Sequence, residues 1–181
     1  MIDSLLHNGI ISLFNLIVIN ARSFAMRSQT HDQDFLKWTE EQTALFKSGR
    51  LSELDYDNIF EELDDMGKEQ KVALQSLLRN IIIHLLKLDL SPAKDPRPVW
   101  IEEITEFRDQ AQTRIEETPS LKHYSEELFA KAWPQAKRAA EKSFDAYCEN
   151  VLVPDVNPYS FEQVLNHDYL PESSETLKKD Y

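Results

Sequence analysis

Between Asp55 and Asp89 no proline interrupts the chain, and apolar side chains recur there at helical intervals. Tyr56, Ile59, Phe60, Leu63 and Met66 mark the first part, and Leu74, Leu77, Leu78, Ile81, Leu85 and Leu88 carry the pattern on beyond Gly67. The spacing predicts one long helix. Its second half is apolar over more than half its circumference. Such a segment belongs between other helices, as the central beam of an all-helical core. Gly67 weakens a helix interior by up to about 1 kcal/mol relative to Ala; a bend, a break or close packing are the three readings of it.

Other helices follow from punctuation. His31 to Ser48 carries a stripe of Phe35, Trp38, Gln42, Leu45 and Phe46, with Asp32 or Asp34 available as N-cap and Gly49 as the stop. Ser52 followed by Asp55 resembles a capping box ahead of the long helix. Pro92, Pro96 and Pro98 form a linker that no helix can cross. A third helix then presents Trp100, Ile104, Phe107, Ala111 and Ile115. A fourth, from about Ser120 to Tyr147, presents Leu121, Tyr124, Leu128, Ala132, Ala136, Ala139 and Ala140, with a kink expected at Pro134. A short helix from Ser160 to Asn166 fits between Pro158 and Pro171. The predicted architecture is all-α: an antiparallel bundle of about four helices with a short C-terminal helix. The domain spans residues 26–171 and is followed by a polar tail, 172–181.

Residues 1–25 differ in composition from the rest, with Asp3 and Arg22 as their only charges. The apolar run Ile10–Ile19 is short against the roughly 20 residues a bilayer span needs. No basic n-region or Ala-x-Ala site marks a secretory signal. Three readings stay open: a weak signal or anchor, an extra helix packed on the domain, or an upstream extension with Met26 as the natural start.

The 181 residues include 32 acids and 20 bases, a formal net charge of −12. That field repels phosphate backbones, so nucleic acid is not an expected partner, and no membrane role is expected for the main domain. With three glycines, a glycine-rich phosphate loop is disfavoured. The single cysteine, Cys148, excludes an intrachain disulfide and is compatible with a reducing cytoplasm.

Several landmarks occur in order: Asp34-Phe35 with Trp38 and Gln42, Leu54-Asp55, Ile59-Phe60-Glu61-Glu62-Leu63, His84-Leu85-Leu86-Lys87, Pro119-Ser120-Leu121, and Pro158-Tyr159-Ser160 with Leu165. In this order and spacing the chain resembles the bacterial domain-of-unknown-function family 29, over about Asp32 to Pro171. Val99-Trp100 stands where that family usually has Ser-Trp. The resemblance implies an all-helical fold and transfers no catalytic residue.

Residues 51–70 hold eight acids against Lys68 alone, a local balance of −7. Acids in a first helical turn are favoured by the helix dipole, but Glu61, Glu62, Asp64 and Asp65 lie beyond its reach. They are solvated or they face something positive. The expected function is therefore that of a small acidic interaction protein that binds a basic protein partner through these four residues. The alternative is an enzyme with a polar pocket between helices, built on Ser76, Asn80, His84 and Lys87, which recur at steps of four, four and three. A homodimer is compatible with either. No Glu-x-x-His pair occurs on the long helix, and Glu62 and His84 are separated by roughly 33 Å on a straight helix. No metal or cofactor is expected, and no catalytic residue is assigned. His123 and His167 lack a ligand or nucleophile at useful spacing, and nothing in the sequence around Cys148 marks it as a nucleophile or redox thiol.

Overall fold

The structure, a computed structural model, describes residues 30–172. Among these residues every regular element is helical. The described chain falls into two compact units that divide between Met66 and Gly67. The readings of residues 1–25 lie outside the described residues, as does nearly all of the polar tail.

The first unit is a helical hairpin. Helix α1, Phe35–Lys47, starts where Asp34 accepts a hydrogen bond from the Lys37 backbone N–H at 3.1 Å. Of the two candidate caps, Asp34 takes the role. The helix ends where Gly49 adopts φ +74°, a conformation glycine enters without the Cβ clash. The 3-10 turn Leu51–Glu53 then leads into helix α2, Tyr56–Leu90. This is the predicted long helix, and it runs through Gly67 unbroken. A Cβ placed on Gly67 would meet nothing within 4 Å, so close packing is not the reason for the glycine.

The apolar stripe at the start of α2 is not core. Tyr56, Phe60, Leu63 and Met66 are between 45% and 63% exposed. Phe35 and Phe46 of α1 are exposed as well, and among the described residues of this unit the buried apolar side chains are Trp38 and Leu54. Among the described residues the line where α1 meets the start of α2 is covered, while these flanking apolar positions are exposed.

The second unit supplies the predicted core. Leu74, Leu78, Ile81, Ile82, Leu85, Leu86 and Leu88 of α2 are completely buried. They cluster with Ile104 and Ala111 of α3, Arg97–Glu117, and with Leu128, Ala132, Ala136, Ala140 and Phe144 of α4, Ser125–Ala146. Alanines at steps of four on α4 let a neighbouring helix approach closely. Leu121 belongs to a 3-10 turn, Pro119–Tyr124, that precedes α4 rather than to the helix itself. Helix α4 continues past Pro134. Pro134 and Ala130, whose carbonyl the proline cannot bond, are both on the solvent side, where water can satisfy the orphaned oxygen.

The short helix α5, Phe161–Leu165, is opened by a capping box between Ser160 and Gln163. Its far end is held by Arg108. This arginine is 1% exposed and donates to the carbonyls of Val164 (2.8 Å), Gln163 (3.2 Å) and Tyr169 (3.0 Å). Burial lowers its pKa to about 10, still far above neutrality, so the guanidinium stays charged. Buried Arg97 acts the same way on α2, donating to the carbonyls of Leu88 and Ser91. In both cases a cation meets the negative end of a helix and satisfies carbonyls that lack an intrahelical partner.

Candidate interaction surface

The hairpin is fastened by polar groups. Buried Asp55, the residue before α2, receives the Trp38 indole N–H at 3.3 Å and the Asn58 side-chain amide at 2.7 Å. Its own backbone N–H donates to the Gln42 side-chain oxygen at 2.9 Å. Trp38 and Gln42 are four residues apart, so they leave α1 on one face and both reach the chain at Asp55. Asp55, expected to pair with Ser52 ahead of the long helix, is engaged by Trp38, Asn58 and Gln42.

A second fastening lies beyond the start of α1. His31 Nε2 sits 2.7 Å from Glu62 Oε1, and Nδ1 sits 3.2 Å from Asp32. The imidazole stands edge-on to Trp38, with ring centroids 4.7 Å apart. The hydrogen bond to Glu62 raises the His31 pKa, outweighing the burial that lowers it.

This sorts the four predicted partner-binding acids. Glu62 is half-buried and turned to His31, so it belongs to the hairpin's own structure. Glu61, Asp64 and Asp65 are exposed. On the helical wheel Tyr56, Phe60 and Leu63 fall within about 60° of one another, and Asp64, Asp57 and Glu61 continue round one side. Apolar and acidic strips therefore run side by side in water. The described part of this unit carries eleven carboxylates against Lys37, Lys47 and Arg50, a formal −8.

The second set of predicted residues is engaged along α2 and with α3. Ser76 is exposed and donates to the Val72 carbonyl of its own helix at 2.9 Å. The Asn80 side chain receives Arg79 at 3.4 Å, and its backbone carbonyl takes His84 Nδ1 at 3.0 Å. His84 Nε2 lies 2.9 Å from Glu103 on α3, and the ring stacks on Phe107. Burial lowers the His84 pKa against the opposing pull of Glu103. Lys87, whose charge also lowers the His84 pKa, lies 5.7 Å from the centre of the Trp100 ring and lines a small cleft.

Arg97 and Arg108 were not foreseen. Each stands in an amphipathic pattern as an ordinary surface cation, and only its carbonyl partners, far along the chain for Arg108, reveal the capping role. Asp89 and Tyr159 are a similar case: the Tyr159 hydroxyl donates to Asp89 at 3.4 Å across seventy positions, and burial raises the phenol's pKa. Among the described residues no group of three or more His, Cys, Asp or Glu is placed to hold a metal ion. No helix among them is long and apolar enough to cross a membrane.

The molecule is thus an all-α protein whose polar residues fasten helices and whose hairpin leaves an acidic, part-apolar face open. The chain belongs to the family described as Domain of unknown function DUF29, whose family model matches residues 30–170. No curated protein and no solved structure matches it. The residues that carry the family resemblance include Asp34, Trp38, Gln42, Asp55, Tyr159 and Ser160, and each of these makes a cap or a helix-to-chain bond.

Proposed function

We propose that this protein is an interaction module whose hairpin face, at the start of α2, docks a basic protein partner. One observation carries the reading: exposed Tyr56, Phe60 and Leu63 lie alongside exposed Asp57, Glu61 and Asp64. An apolar strip supplies area to remove from water, and the adjoining carboxylates favour a cationic partner and disfavour a second copy of the same −8 surface. Helix-in-groove recognition by an amphipathic basic segment uses this combination.

The test is fluorescence anisotropy with a labelled amphipathic Lys/Leu helical peptide and its Glu/Leu counterpart. The wild-type chain is expected to bind the basic peptide and not the acidic one, with affinity falling as salt rises. A Glu61→Gln, Asp64→Asn, Asp65→Asn variant keeps Glu62 and so the His31 fastening, and should bind more weakly. Phe60→Asp should weaken binding further. Equal binding by wild type and the neutralised variant would end the proposal.

A further inference from the structure

The second unit holds a cleft of about 180 Å³ between the end of α2, the start of α3 and the end of α4. That is below the roughly 300–1,000 Å³ of sites for drug-sized molecules, so its occupant is small. Two opposite charges line it. Lys87 is half-buried and, among the described residues, makes no ion pair. Glu149 is half-buried too, and the hydroxyl of buried Ser91 donates to its Oε1 at 2.9 Å. The same hydroxyl accepts from the Ala93 backbone N–H at 3.1 Å, which fixes its direction. Among the described residues Glu149 also lacks an ion-pair partner. So the cleft holds a cation and a carboxylate that do not pair with each other. The rest of its lining holds three aromatic rings, Trp100, Phe144 and Tyr147, beside Ala93, Pro96 and Ser143.

We propose that this cleft binds a small zwitterion with an apolar side chain, a molecule of the class and size of a free α-amino acid. Lys87 takes the carboxylate, Glu149 the ammonium group, and the aromatic wall covers the side chain. The electrostatics of the whole chain favour this class over simple ions. At −12 the protein repels anions, and Lys87 opposes a lone cation at the cleft itself. A zwitterion meets neither obstacle, and it neutralises both half-buried charges on arrival.

Isothermal titration calorimetry on the full 181-residue chain tests this with a panel of apolar and aromatic L-amino acids. L-Phenylalanine is compared with N-acetyl-L-phenylalanine, which lacks the ammonium, and L-phenylalaninamide, which lacks the carboxylate. At least one amino acid is expected to bind saturably, with each blocked derivative weaker by about 10- to 100-fold. Glu149→Gln should weaken the amino acid while abolishing its advantage over the N-acetyl form, and Lys87→Met should do the same with respect to the amide. Ser143→Leu, which fills the rim, should remove binding while circular dichroism stays that of the wild type. Should Lys87→Met fail to fold, the Glu149→Gln pair decides alone. Absence of saturable heat for the whole panel, or blocked derivatives that bind as well as the parent, would overturn the proposal.

Discussion

The hairpin before Met66 and the unit after it are built on different physics. Among the described residues the later unit buries nineteen apolar side chains in one cluster, whereas the hairpin buries Trp38 and Leu54. The hairpin is fastened instead by Asp55, Gln42, His31 and Glu62. Apolar burial is additive and tolerant of detail; a polar fastening depends on the presence of every partner. A unit held by few, directional bonds can leave much of its apolar surface uncovered, and the start of α2 does so.

The largest effect should come from the apolar cluster. Leu85→Ala removes a fully buried side chain and should cost about 2–5 kcal/mol. Urea denaturation followed by circular dichroism would read it, and a cost below that of an average surface change would break the contrast between the two regions. Arg108→Met should be more local. It strips donors from three carbonyls around α5, and because water can reach this end of the molecule once the helix frays, the cost should stay at about 1–3 kcal/mol. Hydrogen exchange should then speed up in residues 161–171 before α2 is affected.

Next in size is the hairpin. Asp55→Ala orphans the Trp38 indole and the Asn58 amide, at a cost of about 1–3 kcal/mol. Exchange and limited proteolysis should increase within residues 35–55, while Leu74 to Leu88 keep their protection. Loss of protection throughout would mean that the two regions do not differ in the way proposed.

These contrasts explain what could be read from the chain. The long helix was legible because periodicity reports a face, and the face from Leu74 onward is indeed covered. From Tyr56 to Met66 the same periodicity was present, but periodicity does not say whether a neighbour exists to cover it. Gly49 was legible because a local backbone need is met by a local residue. Asp34 was legible as one of two caps. The capping roles of Arg97 and Arg108 were not, because an arginine's carbonyl partners are set by tertiary approach. Of the candidate surface, the acidic strip was visible in composition, whereas the division of labour between Glu62 and its exposed neighbours needed the position of His31.

The two regions each contain a histidine beside a glutamate, and they should titrate in opposite directions. His31, hydrogen-bonded to Glu62, has its pKa raised above 6.5; His84, buried against α3, has its pKa lowered. For His31 the folded state binds the proton more tightly than the unfolded chain. Its stabilisation is complete below pH 6.5 and is lost as pH rises through the folded pKa. For His84 the sign reverses: its contribution is present above pH 6.5 and lost as pH falls toward the folded value, because the unfolded chain takes up the proton first. Histidine ring resonances followed by NMR against pH would check both. Glu62→Gln should move the His31 midpoint down and leave His84 in place. Two midpoints shifted the same way would show that burial and ion pairing are not divided between the regions as their geometry indicates.

The smallest effect is expected at the seam. Gly67 lies inside α2, where the two units divide, with open space around the position of a Cβ. Its φ is not in the left-handed region, so an alanine fits the backbone. Gly67→Ala should therefore stabilise the protein by about 0.5–1 kcal/mol, partly by restricting the unfolded chain. The gain tests the contrast sharply, because helix propensity acts on both sides of the substituted residue. If the hairpin is the weaker region, the alanine should slow exchange between Tyr56 and Met66, where few buried contacts hold the helix, and change it little between Leu74 and Leu88. A uniform slowing along all of α2 would mean that the helix opens as one piece, and that the polar fastening before Met66 is as secure as the apolar cluster beyond it.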